Sequence, residues 1–327
     1  MNSLLPPIEV KRLQSWGSAG TAASAPIRDA VVLGMPHLCT NGLSETWLLK
    51  ECGHRHWLLL AEAAGFAAPD FRDPAGDPIY AAFLSVSVRD AAFDTVREHE
   101  RLAFASRLTR ISRTRFMSAH SLAVSGRPVG EIAMISTFVR RAQKGKNHGI
   151  QRIEVPALRR LELDHESAAR AAEITALRSS RWDAHLGFER SKATVIDRFL
   201  LDPCPGQDFN GADFLYFASF LAFVDRAEWA FFRQQAPLPT TRRRDIVYRR
   251  NIDLGERVVA SLLQLRRGAH ILDHWCRLER EQDGLTIAEI FTLRDLPPPR
   301  QVGGRSGAFS GKVDTGFPSE NAITQEG

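Results

Sequence analysis

Twice in this 327-residue chain a turn built on Asn-Gly leads into an apolar helical stretch, and each time a connector and a series of alternating strands follow. The first stretch starts at Asn41-Gly42-Leu43-Ser44-Glu45 and runs to His56-Trp57. The second starts at Asp208-Phe209-Asn210-Gly211-Ala212-Asp213 and runs past Asp225 to Trp229. One supersecondary pattern used twice points to a tandem fold, and the length fits two domains at roughly 150 residues each. In the second stretch Phe214, Phe217, Phe220, Leu221, Val224 and Trp229 fall largely on one side of a helix, with more apolar residues spilling round it. A helix of that kind is buried, not laid on a surface.

Periodicity along the chain predicts an α+β fold. A helix over 44–64 contains Gly53, which would break or bend it. Alternation predicts strands at 30–35, 80–88, 102–111, 115–124 and 129–139, with Ser125-Gly126-Arg127-Pro128 as a hairpin turn. Residues 158–178 carry alternating charge and many alanines, and read as one or two connecting helices. The second apolar helix extends to about residue 235, and strands follow at 244–253, 258–266, 269–280 and 285–294. The division that results is a flexible arm over 1–25, a first unit over 26–155, a helical connector over 156–207, a second unit over 208–296 and a Pro-, Gly- and Ser-rich disordered tail over 297–327.

Charge and cysteine usage narrow the function. The net charge is +5 and the pI about 9.3. Basic clusters at Arg242 to Arg244, Arg249-Arg250, and Arg140-Arg141 with Lys144 and Lys146 suit phosphates or an acidic carrier protein, or form a solvated face. Arg243, Arg244, Arg140 and Lys144 are the candidate phosphate ligands. No recognised nucleic-acid module accompanies the charge. The four cysteines lack CxxC spacing, so neither a zinc site nor a disulfide framework is expected, and the chain reads as cytoplasmic. The N-terminal residues do not read as a signal peptide, and no run is long enough to span a membrane. No metal-ligand spacing and no tightly bound cofactor are indicated.

Each helix entry gathers polar side chains and free N–H groups at the end of an apolar rod. Such a rod can wall an acyl chain while its N-terminus polarises a thioester carbonyl. Asn41 and Gly42 could present N–H groups as an oxyanion hole; Ser44 and Glu45 in the same turn also suit a helix cap. Asp208 or Asn210 could cap the second helix, and with Asp213 they also suit an Asx turn.

The segments MPHL…NGLSETWLLKECGHRHW (residues 35–57), YAAF with its strand (80–88) and DFNGADFLYFASF (208–220) resemble the double hot-dog acyltransferase/decarboxylase family known from leinamycin biosynthesis, the LnmK-like family, and its uncharacterised biosynthetic relatives. The resemblance covers about residues 30–295. It implies a double hot-dog fold and acyl groups on coenzyme A or on the phosphopantetheine arm of an acyl carrier protein. It also implies a tyrosine that accepts a malonyl-type acyl group as an ester before decarboxylation and transfer. Tyr80 is the residue onto which that role is carried. A phenol attacks a thioester only with a base or a positive field nearby, for which His37 or His56 could serve. Two other readings stay open: a hot-dog thioesterase or dehydratase working from Asp208 or Asp213, and a non-catalytic acyl-binding or carrier-docking protein. Hot-dog proteins often pair their units, so a chain of double length can contain its own pair; a homodimer of such chains is also compatible.

Overall fold

The computed structural model describes residues 27–143, 145–161, 163–164, 168–233 and 238–296. The expected arm, 1–25, and tail, 297–327, therefore lie outside the described residues. Alternating apolar and polar side chains build one eleven-stranded sheet. Its strands in chain order are β1 (Ile27–Val32), β2 (Tyr80–Arg89), β3 (Arg101–Ser112), β4 (Arg115–Val124), β5 (Arg127–Arg141) and β6 (Ile150–Arg152). They continue with β7 (Asp197–Leu201), β8 (Thr240–Tyr248), β9 (Val258–Arg267), β10 (Leu272–Arg280) and β11 (Thr286–Asp295). The longer helices are α1 (Glu45–Ala64), α2 (Ala168–Arg178) and α3 (Phe217–Phe232).

The order across the sheet is β1-β3-β4-β5-β2-β8-β11-β10-β9-β7, with β6 added beside β5. From the centre outward both halves follow one plan. The strand after the helix is innermost (β2, β8), the three meander strands follow in reverse chain order, and the strand before the helix is at the edge (β1, β7). The halves join where β2 and β8 pair antiparallel, Val88 opposite Arg244 through Ser85 opposite Val247. Leu48, Leu49 and Cys52 of α1, Phe220, Leu221 and Val224 of α3, and Val86 and Ile246 of the two central strands belong to one buried cluster. The other face of the second half is covered by Ile174 and Leu177 of α2 and by Phe188, packed with Trp275 and Phe291.

Several expectations are corrected here. Gly53 does not break α1, which runs unbroken from a Ser44 cap (Oγ accepting from Trp47 N, 3.3 Å) to Gly65 in the left-handed region at φ 76°. Gly53 is small because α3 approaches there: a Cβ would meet the Phe217 ring. The second helix starts at Phe217, not at the polar turn, and neither Asp208 nor Asn210 caps it. Asn210 Oδ1 instead accepts from Ala212 N and Phe214 N (3.0 and 3.2 Å), the local bond that competes with a cap. Trp229 is 55% exposed, because the buried side of α3 is carried by Phe217, Phe220, Leu221, Phe223, Val224, Ala227 and Glu228. The connector holds more than helix, since β7 pairs with β9 at the sheet edge. The eighth strand ends at Tyr248, five residues before the expected limit. Beyond it Asn251 bonds both backbone groups of Leu215, with Oδ1 accepting from N at 2.9 Å and Nδ2 donating to O at 3.0 Å.

Candidate functional site

Where α1, the start of α3 and the inner strands meet, a cleft of about 460 Å³ opens, a size ordinary for small-molecule sites. Phe83, Leu84, Leu215, Phe217 and Phe220 form its apolar wall. Residues Thr137 and Val139 of β5 and Gly53, His54 and Trp57 of α1 add to it. The rings of Phe83 and Phe217 pack at 4.5 Å between centroids, tilted by 54°, which ties the first half of the sheet to α3.

All three tyrosines of the chain line this cleft. The Tyr248 hydroxyl donates to the Phe217 carbonyl (3.1 Å), and burial pushes its pKa well up, so it is a structural phenol. Burial also raises Tyr216. Tyr80, at the start of β2, stands edge-on to Phe214 at 5.4 Å. The Arg141 guanidinium carbon lies 5.7 Å from the Tyr80 ring centroid and 3.8 Å from that of Phe214. Among the described residues, the hydroxyls of Tyr80 and Tyr216 have no protein hydrogen-bond partner, unlike that of Tyr248.

The cleft also meets the N-terminus of α3. Its N-cap, Tyr216, makes no side-chain cap bond, and Tyr216, Phe217 and Phe220 all line the cleft. The first turn of α3 and the positive end of its dipole therefore sit beside the tyrosines, the Ser219 N–H being taken by the Tyr216 carbonyl (2.8 Å). The loop before α3 is clamped by Asn147, which is 3% exposed. Asn147 Nδ2 donates to the carbonyls of Asp213 and Ile252, both at 2.7 Å, and its Oδ1 accepts from Arg141 Nε and Nη2 at 3.0 and 2.9 Å.

Of the residues singled out in the sequence, Tyr80 and Asn210 come together in the cleft. The other catalytic candidates are elsewhere. Asn41 Nδ2 donates to the Pro239 carbonyl (2.7 Å), and Gly42, at φ 95°, packs against the Phe93 backbone. Ser44 caps α1, and Glu45 beside it accepts from Thr241 and pairs with Arg244, so this entry is closed by protein groups. His37 Nδ1 accepts from Gly34 N (2.8 Å) and its ring stands edge-on to Trp47. His56 is fully buried between Ser118 and Ser136, and burial holds it down to about 3, so it stays neutral. Asp208 is 3% exposed and accepts from Cys204 N (2.9 Å).

The expected phosphate ligands are also redistributed. Arg244 is fully buried between Asp225 (3.0 Å) and Glu45 (3.3 Å), Arg243 pairs with Asp245 (3.2 Å), and Arg140 pairs with Asp73 (3.1 Å) and bonds Gln151. Lys144 lies outside the described residues. The arginines that line the cleft are Arg152, Arg178, Arg249 and Arg250. Of these only Arg249 and Arg250 stood out in the sequence, as one of several basic pairs. Arg152, Arg178, Asn147 and Asn251 carry no local signal; distant elements bring them together. Among the described residues no group of His, Cys, Asp and Glu is arranged to hold a metal, and no helix is long and apolar enough to cross a membrane.

No protein-family model matches this chain, and no curated protein matches it. Its fold does match solved structures. A 12:0-ACP thioesterase from Umbellularia californica aligns at TM-score 0.57 and 10% identity over 83% of this chain and 94% of its own. A protein of Lactobacillus plantarum assigned as an oleoyl thioesterase aligns at TM-score 0.62 and 14% identity over 85% and 98%. An acyl-ACP thioesterase from Bacteroides thetaiotaomicron aligns at TM-score 0.51 and 11% identity over 83% and 98%. At these identities the likeness establishes the fold alone: a mixed α/β architecture dominated by a large antiparallel sheet, shared with these structures.

Proposed function

We propose that this chain is a double hot-dog enzyme that acts on acyl thioesters, taking an acyl group from coenzyme A through Tyr80 and passing it to the phosphopantetheine thiol of an acyl carrier protein. The observation that carries this reading is that Tyr80, with a hydroxyl lacking a protein partner among the described residues, lines the same cleft as the uncapped N-terminus of α3. In this reading Tyr80 Oη attacks the thioester carbonyl. The N–H groups at the start of α3 stabilise the oxyanion, and the thiol of coenzyme A leaves with a proton. Arg141 places positive charge beside the phenol ring, where neither His37 nor His56 serves. The apolar wall of Phe83, Phe217 and Phe220 holds the acyl chain. With a malonyl-type group, loss of carbon dioxide gives an enolate, which the same N–H groups stabilise before protonation.

Hydrolysis is the second reading, favoured by the thioesterase names of the structural neighbours. Neither Asp208 nor Asp213, its expected carboxylates, is among the residues lining the cleft, and Asp208 accepts a backbone bond from Cys204. The test is a panel of acyl-coenzyme A esters, malonyl and methylmalonyl included, incubated with the chain and a phosphopantetheinylated carrier protein. Acyl carrier as product supports transfer, and free acid as product supports hydrolysis. No release of coenzyme A from any ester would overturn the enzymatic reading.

A further inference from the structure

Three elements distant in sequence each deliver one or two arginines to the cleft: Arg152 ends β6, Arg178 ends α2, and Arg249 and Arg250 follow β8. Arg152 and Arg250 are exposed, while Arg178 and Arg249 are partly buried. Among the described residues only Arg249 faces a carboxylate, that of Glu289. The remaining bonds are to neutral groups. Arg178 donates to the Tyr248 carbonyl, Arg249 to the carbonyls of Leu177 and Arg178, and Arg250 to the Thr286 carbonyl (3.2 Å). Arg115, which donates to Thr175 Oγ1 (2.7 Å), adds a fifth positive charge nearby.

Guanidinium groups held this close repel one another. Burial, followed by the charges of Arg115, Arg249, Arg152 and Arg250, pulls Arg178 down to about 10. A fold that gathers like charges at the opening of an apolar cleft, with one carboxylate against four guanidinium groups, is short of negative charge there. Planar, multiply donating guanidinium groups match phosphate oxygens.

We propose that Arg152, Arg178, Arg249 and Arg250 form an anion-binding rim that seats the phosphate of a phosphopantetheine arm, with the thioester end of that arm in the tyrosine-lined cleft. The inference rests on the thioester reading of the cleft. It replaces the expected phosphate ligands Arg243, Arg244 and Arg140 with a set of four in which, among the described residues, only Arg249 faces a carboxylate. Arg244, Arg243 and Arg140 each have a carboxylate within 3.3 Å. The phosphate next to the pantetheine is common to coenzyme A and to a carrier protein, so one rim would serve donor and acceptor in turn.

The experiment compares acyl-coenzyme A, acyl-4′-phosphopantetheine and acyl-pantetheine as substrates of the full chain, for the native protein and for Arg152→Gln and Arg250→Gln. Both substituted residues are exposed, so the variants retain the fold. Calorimetric binding of the unacylated carriers is measured alongside. Removing the phosphate is expected to lower kcat/KM and affinity by about tenfold or more, the worth of a charge-assisted hydrogen bond. The gap should narrow in each variant. Equal treatment of pantetheine and phosphopantetheine by the native chain, or an undiminished gap in both variants, would overturn the rim. Binding of coenzyme A without binding of phosphopantetheine would overturn the assignment to the arm phosphate. Discrimination between malonyl and propionyl groups that disappears in the variants, with no effect of the phosphate, would instead make the rim a reader of the acyl carboxylate. If no thioester is turned over, rim-dependent binding of phosphopantetheine still upholds this inference while the enzymatic reading fails.

Discussion

Gly53 of α1 faces the ring of Phe217 in the first turn of α3, and a Cβ at residue 53 would lie 2.6 Å from Phe217 Cζ. The ring has little room to retreat, because Phe83 and Tyr216 lie against it at centroid distances of 4.5 and 4.8 Å. Gly53→Ala gains about 1 kcal/mol of helix propensity but overpacks a site where the usual cost is about 1–3 kcal/mol. A net loss of about 1 kcal/mol is expected in a denaturant titration. Combining it with Phe217→Leu should recover part of the loss. Additive effects of the two substitutions would show that the contact does not set the helix spacing.

Asn147 holds the loop after β5 onto the loop before α3. Asn147→Ala leaves the carbonyls of Asp213 and Ile252 without their donor and leaves Arg141 with only the Ala212 carbonyl as acceptor among the described residues. A loss of about 2–4 kcal/mol follows from the buried bonds. Because Arg141 lies over Phe214 and beside Tyr80, KM for a thioester should rise as well. A variant with native stability and native KM would show that the clamp has no part in shaping the cleft.

A buried relay runs from Ser136 through His56, Ser118 and His120 to Ser106, with contacts of 2.7, 2.7, 2.9 and 2.8 Å. Burial holds both histidines down to about 3; for His120 the neighbouring His56 and Arg55 add to the effect. Between about 3 and the ordinary histidine value near 6.5 the unfolded chain binds more protons than the folded one, so stability falls as pH falls through that window. Its contribution is fully present above about 6.5. The slope is up to ~1.4 kcal/mol per pH unit for each histidine. Unfolding free energies measured from pH 7 to 4 should show it, and the double variant His56→Gln, His120→Gln should flatten it. An unchanged slope in that variant would assign acid sensitivity to other groups.

The sheet was legible because its strands are apolar-rich runs with turn residues between them, and β4 is placed residue for residue at 115–124. The repeat of helix followed by meander showed in the two Asn-Gly entries and reappears as the matching strand order of the two halves. What stayed hidden depends on contacts across the chain. The edge strand β7 sits in a charge-rich connector and is held by pairing with β9. The start of α3 was masked because the preceding polar residues suit a cap and a turn equally, and the Asn210 side chain takes the turn. Asn41, Gly42 and Ser44 look like a catalytic entry from sequence. Their hydrogen bonds and packing are instead satisfied within the protein, and the open helix end belongs to α3. The basic run at Arg242 to Arg244 is a mixture of strand faces, one of them interior, which is why Arg244 is buried.

The most direct test of the proposed acyl transfer is intact-protein mass spectrometry after mixing the chain with malonyl-, methylmalonyl- and propionyl-coenzyme A in the absence of a carrier protein. The account predicts an added acyl mass on the native chain, localised to Tyr80 by peptide mapping and absent in Tyr80→Phe. An adduct that survives in Tyr80→Phe, or release of free acid at equal rates from both proteins with no adduct, would contradict it.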